Sequence, residues 1–261
     1  SLIDDWLEEV RLPASYFRGR RVLDLGCGSG RWSYAMAKLG ADVVSVDVSD
    51  GAVETTRRVL GEVTEPAVIQ ASLFQLPFEP GQFDFVVCWG VMHHTHSTSE
   101  AFKAVAPLVK PGGIFHMMVY ERRSPMKVWG TEVVRALLRH VSPEVRYRFC
   151  GKLVLENRLA YGLLRGLVAC VPVWELPASW DRETAQFGLY DWYSPRFNHL
   201  HRVDEVEGWF QGMGFGDIRL TRPVKYDRPL DVFRFGQCGG SIHCRGRRSD
   251  WRQPVMATVP V

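Results

Sequence analysis

The run RVLDLGCGSG at residues 21–30 constrains this chain more tightly than any other: a short apolar segment, broken by Asp24, ends in glycines at positions 26, 28 and 30. Residues 30–40, GRWSYAMAKLG, then carry helical spacing and close on Gly40, a residue suited to ending a helix. A strand that turns through glycines into a helix brings backbone N–H groups and the positive helix end close to a bound ligand, because glycine has no Cβ to hold the ligand away. The carboxylate of Asp24, just ahead, marks a polar and positively charged part of that ligand. Two common ligands fit poorly. Arg31 stands where a dinucleotide fingerprint would place its third glycine, and the Gly-Lys-Ser/Thr of a phosphate-cradling loop is missing.

Downstream, the apolar period keeps switching between strand and helix values. Residues 42–49 (DVVSVDVS), 67–72 (AVIQAS), 83–90 (FDFVVCWG) and 113–120 (GIFHMMVY) read as strands, and residues 50–62 and about 99–109 as helices. This alternation predicts an α/β fold with a parallel sheet covered on both faces. From Glu121 to about Arg202 the alternation stops. The segment KVWGTEVVRALLRH places Trp129, Val133, Ala136, Leu137 and His140 on one helical face. Ser142-Pro143-Glu144 starts another helix, with Ser as N-cap and Pro in the first turn, running towards Pro172. Residues 180–201, WDRETAQFGLYDWYSPRFNHLH, read as an aromatic loop, after which a helix at 202–215 and strands at 216–222 and 241–247 rejoin the sheet. The expected organisation is an N-terminal cap segment 1–20, a core formed by 21–120 and 203–261, and a helical insertion 121–202.

Composition excludes several classes. With 261 residues, 46% of them hydrophobic, the chain can bury a sizeable core in one or at most two domains. The formal charge of +3 lies mostly in arginine pairs and the run RGRR, so no broad nucleic-acid-binding face is declared. Arg135, Arg139, Arg146, Arg148, Arg158 and Arg165 recur at near-helical intervals and read as a solvated face. Cys27, Cys88, Cys150, Cys170, Cys238 and Cys244 show no CxxC spacing and read as reduced thiols of a cytoplasmic protein. The opening SLIDDWLEEV is acidic and amphipathic, unlike a secretory leader. Region 153–174 is apolar but carries Glu156, Arg158 and Arg165, which disfavours a transmembrane segment.

Five pieces occur together in an order and spacing that resemble the class I S-adenosylmethionine-dependent methyltransferases, particularly the quinone-methylating branch. They are VLDLGCGSG (22–30), VVSVDVS (43–49), LPF (76–78), FDFVVCWGVMHH (83–94) and LVKPGGIF (108–115). The resemblance covers about residues 20–120. It implies a Rossmann-like seven-stranded sheet, with the helical and aromatic insertion between strands five and six as a lid over an acceptor site. It also implies S-adenosyl-L-methionine as cofactor, S-adenosyl-L-homocysteine as product, and a small-molecule acceptor. The family's pattern places Asp24 near the ammonium of the cofactor and Gly26, Cys27, Gly28 and Gly30 under its amino-acid end. Asp47, with Val48 beside it, would accept from both ribose hydroxyls. Ser72 and Leu73 occupy the adenine position, where the family often has an acidic residue. Cys88, Trp89 and Gly90 would border the methionine part, Trp89 offering its ring to the sulfonium, and His93 and His94 would face the transferred methyl.

The reaction implied is an in-line displacement at the sulfonium methyl, in which the protein mainly aligns two reactants in a dry cavity. His94, Tyr193 and His199 are the candidate bases. His93, Tyr190, Asp191, Trp192, Arg196 and Asn198 are the candidate acceptor-binding residues, Arg196 being suited to an anionic group. C- or O-methylation of an anionic, isoprenoid or aromatic metabolite fits this set. Plainer readings stand beside it: Asp24 as a turn cap, Asp47 as a helix N-cap, and His93, His94 and His96 as structural residues. Neighbouring histidines point in different directions, so no metal is expected. Trp174, Trp180 and Phe187 read as packing. An RNA or protein methyltransferase would need a continuous basic surface, and a non-catalytic module could keep the cofactor site without turnover. A nicotinamide oxidoreductase is held down by Arg31. A homodimer is compatible with all of these.

Overall fold

The structure, a computed structural model, describes residues 1–122, 125–155, 174–175 and 181–249. It divides into two units: Ser1–Tyr120, His201–Val224 and the segment from Ser241 on form the first, Glu121–Leu200 and Lys225–Gly240 the second.

The first unit is built on seven strands: β1 (Arg21–Leu25), β2 (Asp42–Asp47), β3 (Ala67–Gln70), β4 (Phe83–Trp89), β5 (Val109–Tyr120), β6 (Phe215–Leu220) and β7 (Ser241–Arg248). Their order across the sheet is β3-β2-β1-β4-β5-β7-β6. The first five are mutually parallel, as the alternation predicts. The last is not: β7 runs antiparallel to both β5 and β6. It enters the sheet from the end at which β6 leaves, a connection that needs no crossover helix and left no period for the sequence to display.

Strands β1 and β2 are mostly apolar because both sheet faces are covered; Val22, Leu23, Leu25, Val43, Val44 and Val46 are all buried. On one face, α1 (Leu2–Val10) and α2 (Arg31–Lys38) pack Trp6, Val10, Trp32 and Met36 against Val22, Phe85, Val87 and Ile114. Beside them α3 (Asp50–Leu60) sets Val53 and Leu60 on Val68 of β3. On the other face, α4 (Thr98–Val105) and α8 (Val203–Gly212) close over a phenylalanine layer in which Phe102 lies 5.1 Å from Phe115 and 4.9 Å from Phe210, centroid to centroid.

The second unit contains α5 (Pro125–Leu138), α6 (Pro143–Leu153), α7 (Arg182–Tyr193) and α9 (Pro229–Phe235), with a two-residue parallel pairing of Val154–Leu155 and Trp174–Glu175. Ser142 caps α6 by accepting from Val145 N, and the helix ends at Leu153. Helix α7 corrects the expectation of a loop. Asp181 caps it by accepting from Thr184 N at 2.7 Å, and Ala185, Leu189, Trp192 and Tyr193 form its buried stripe. That spacing is helical, but the density of aromatic and charged residues masked it. Phe187, expected to pack, is 62% exposed.

The arginines of this unit are not uniformly solvated. Arg135 is buried and donates to the carbonyls of Trp192 (2.8 Å) and Pro195, while Arg146 donates to those of Leu138, Val141 and Ser194. Buried guanidinium groups carry five donors and therefore gather backbone carbonyls. Trp129, Val133 and Leu137 do share one face of α5, and that face is exposed. Glu121, at the start of the unit, accepts from the backbone N–H groups of Gln237, Cys238 and Gly240. The five described cysteines are buried free thiols. Cys170, Glu156, Arg158, Arg165, Pro172 and Trp180 lie outside the described residues, as do the side chain of Trp174 and the proposed length of helix beyond 155. Among the described residues no helix is long and apolar enough to cross a membrane.

Candidate active site

The C-terminal ends of β1, β2 and β4 meet where the strand order reverses on either side of β1, the place in an open α/β sheet where ligands bind. From the end of β1 the chain hooks over its neighbour. Gly26 N and Cys27 N both donate to Val46 O, and Gly30 N closes a turn on Cys27 O at 2.8 Å. Gly26 has φ +73°, and a Cβ placed there would stand 2.2 Å from Val91 Cγ2. At Gly30, φ is +76° and a Cβ would press on Thr56 at 3.0–3.3 Å. Only glycine fits both positions. Thr56 of α3 completes the loop by donating to Gly28 O. Burial raises the Cys27 thiol to about 12, so it is a packed thiol at neutral pH.

Asp47 ends β2 with both carboxylate oxygens held by backbone: Gly28 N donates to Oδ2 and Ser49 N to Oδ1, each at 3.0 Å. The N-cap of α3 is Ser49, so Asp47 is not the helix cap of the plainer reading. A carboxylate has about four lone-pair sites, and two N–H groups leave two for hydroxyl donors. Asp24 is buried at the end of β1, where Ser33 Oγ donates to it and in turn meets Ser45 Oγ at 2.8 Å. Burial pushes its pKa up to about 6; the Ser33 bond opposes this and the charge of Asp47 adds to it.

The remaining expected cofactor residues lie around these two. Val48 is exposed beside Asp47, and its carbonyl accepts from Gln70 Nε2. Ser72 Oγ accepts from Phe74 N and so shapes its own turn, with Leu73 buried beside it. Cys88 is buried in β4, and Gly90 N donates to Met118 O. His93 is buried, its ring 4.1 Å from those of both His94 and Tyr120, while His96 stacks on Phe74 at 4.3 Å.

Trp89 departs from expectation. Its Nε1 donates to Glu9 of α1 at 3.0 Å, and its ring lies edge-on to Trp32 with the Arg31 guanidinium above both. It points into the layer under α1, where the sheet's alternation carries Phe85 and Val87. Glu9 is the centre of a polar cluster absent from the sequence reading. It accepts from His116 (3.1 Å), from His243 and from Arg222 (3.1 Å). Burial pushes its carboxyl upward, but the bonds from His116 and His243 outweigh this and hold it far below the usual carboxylate range. Burial also lowers the His243 pKa, so its neutral form donates through Nδ1 to Glu9 and accepts from Ser241 Oγ through Nε2. A glutamate on the inner stripe of an amphipathic helix was the available signal.

Tyr190, Asp191, Trp192, Tyr193, Arg196, Asn198 and His199 all fall in the second unit. Tyr193 is buried, and burial raises its already high pKa. Asn198 Nδ2 donates to Trp192 O, and the Arg196 guanidinium lies 5.3 Å over Phe197. His201, by contrast, belongs to the first unit: its Nε2 meets Thr98 Oγ1 at 2.9 Å and its Nδ1 meets Glu205 at 3.1 Å. Among the described residues no group of three His, Cys, Asp or Glu side chains is arranged to hold a metal.

The chain and its fold are similar to known proteins. A family model described as a methyltransferase domain matches residues 23–117. The ubiquinone biosynthesis O-methyltransferase of Bordetella avium is 36% identical over 111 residues, 42% of this chain and 45% of that protein. The chain spans about half the length of the curated relatives it matches. Among solved structures, the YcgJ protein from Bacillus subtilis superimposes with a TM-score of 0.58 at 14% identity, over 96% of this chain and 99% of that one. An S-adenosylmethionine-dependent methyltransferase from Mesorhizobium loti does so with a TM-score of 0.54 at 18% identity, over 92% and 95%. Residues 23–117 match a methyltransferase domain, and the seven-stranded fold around them is shared with these solved structures.

Proposed function

We propose that this chain transfers the methyl group of S-adenosylmethionine to a small-molecule acceptor, by O- or C-methylation. The observation that carries the reading is the Asp47 carboxylate, fixed by Gly28 N and Ser49 N beside a loop whose glycines leave no side chain in the way. The bound cofactor supplies an electrophilic methyl on a sulfonium. Everything else is supplied by the chain. Asp47 takes the paired hydroxyls of a ribose, and Asp24 in its ionised form attracts an ammonium group. The backbone of the 26–30 loop lies against the amino-acid end, and Ser72 and Leu73 border the base. His94, next to the ring of Tyr120, is the candidate to take a proton from the acceptor's nucleophile.

His93 in the first unit and Tyr190, Asp191, Trp192, Arg196 and Asn198 in the second are assigned to acceptor recognition, with His199 a further candidate base; within the second unit, Arg135 and Asn198 pin the Trp192 carbonyl and give this segment a fixed shape. The O-methyltransferase names of the relatives support an oxygen as the methylated atom. The test is calorimetric binding of S-adenosylhomocysteine, followed by transfer of labelled methyl to a panel of phenolic, isoprenoid and carboxylate-bearing acceptors. Binding without transfer to any small molecule, together with transfer to RNA or protein, would overturn the acceptor class. No binding would overturn the whole reading.

A further inference from the structure

A cleft of about 370 Å³ lies on the first unit away from the 26–30 loop, lined by Arg11, Arg219, Leu220, Thr221, Pro223 and Arg245. Strands β7 and β6, which supply most of it, stand three and four strands from β1, roughly 14–19 Å at the usual strand spacing. Three guanidinium groups converge there. Arg219 is paired with Asp217 at 2.6 Å, and Arg11 donates through Nε to Thr221 O, with Glu8 at its exposed end. Arg245 has no such partner. It is only 8% exposed, its Nε is buried without a hydrogen bond, and no described carboxylate forms an ion pair with it. Thr221, 2% exposed, likewise leaves its hydroxyl Oγ1 buried and unbonded.

The register sharpens the point. Arg219 and Arg245 are direct cross-strand partners, brought opposite by the shift between Gly216 and Arg219. Like charges directly opposite on neighbouring strands repel, and an unpaired buried donor costs stability. Asp217, paired with Arg219, also attracts Arg245 and offsets part of the repulsion; an anion seated between the two guanidiniums would offset the rest and give the unbonded donors a partner. A carboxylate brings one charge and two oxygens, whereas a phosphate group, with three terminal oxygens and up to two charges, matches two guanidiniums and a hydroxyl more fully.

We propose that this cleft binds a phosphate group, carried by a small metabolite or by a lipid headgroup, at a site separate from that of the methyl donor. Calorimetric titration of the full chain with inorganic phosphate and with glycerol 3-phosphate should show one saturable site. Arg245→Met should weaken it roughly tenfold or more. Thr221→Val should weaken it less, and Arg58→Met on the exposed face of α3 should leave it unchanged. Arg219→Met, whose side chain is largely exposed, gives a second readout without disturbing the interior and should weaken binding several-fold at an unchanged melting temperature. Sedimentation with phosphatidylcholine vesicles containing phosphatidic acid separates the two sources: capture competed by inorganic phosphate assigns a lipid headgroup, and binding of soluble phosphates without capture assigns a metabolite. Absence of saturable binding to phosphate, to its ester and to the vesicles, or unchanged affinity in both Arg245→Met and Arg219→Met, would overturn the proposal.

Discussion

Two buried carboxylates in the first unit sit under the same sheet and behave in opposite ways. Among the described residues Asp24, at the tip of β1, has only Ser33 as donor, through its hydroxyl and its backbone N–H, with a second carboxylate nearby, and burial raises its pKa to about 6. Glu9, on α1, is as deeply buried but is met by Trp89, His116, His243 and Arg222, and is held strongly acidic. Burial alone does not fix the charge of a group; its donors do. The Glu9 region is a finished structural network. The Asp24 region is under-supplied with donors, as a group would be that waits for a cation from a ligand.

The largest effect expected from breaking this contrast is at Glu9. Glu9→Ala leaves two histidines, a tryptophan N–H and an arginine facing a hole, and should cost about 3–5 kcal/mol in urea unfolding. Next comes the binding side. Asp47→Ala should weaken S-adenosylhomocysteine by about 1.5–3 kcal/mol in calorimetry, with little change in unfolding. Gly26→Ala puts a methyl group 2.2 Å from Val91 Cγ2 at a positive φ. It should cost about 1–3 kcal/mol of stability through overpacking, read as a lower denaturation midpoint.

The smallest effect is the pH dependence, and it separates the two carboxylates by sign. The folded pKa of Asp24, about 6, lies above its ordinary 3.8, so its contribution to stability is full below 3.8 and is lost as the pH rises through about 6. Glu9 is depressed instead; its contribution is present above 4.5 and is lost as the pH falls below that value. Because an ammonium prefers the ionised form of Asp24, affinity for S-adenosylhomocysteine should rise roughly tenfold between about pH 5 and about pH 7. In Asp24→Asn that slope should disappear. A slope that survives the substitution would assign it to another group.

What could be read in advance divides along the same line. The turn of the 26–30 loop and the strand-end positions of Asp24 and Asp47 are legible because each is set by a few neighbouring residues: an apolar strand, a glycine at a positive φ, an aspartate at a strand end. Helix α7 reads as a loop in the sequence although Ala185, Leu189, Trp192 and Tyr193 carry its period, because the aromatic residues between them dilute the pattern. Arg135 and Arg146 were read as solvated because helical spacing does not say which face is covered. Trp89 was placed towards the sulfonium from its position at the end of β4, yet its side chain turns to Glu9.

By itself the amino-acid order determines the parallel core and the glycine turn at the end of β1, since both arise from contacts among residues close along the chain. Only the tertiary structure decided the reversed direction of β7, the inward turn of Trp89 and the meeting of residues 9, 89, 116, 222 and 243 at a single carboxylate. Those depend on hydrogen bonds between groups as much as 234 positions apart, and no local period records a bond of that kind.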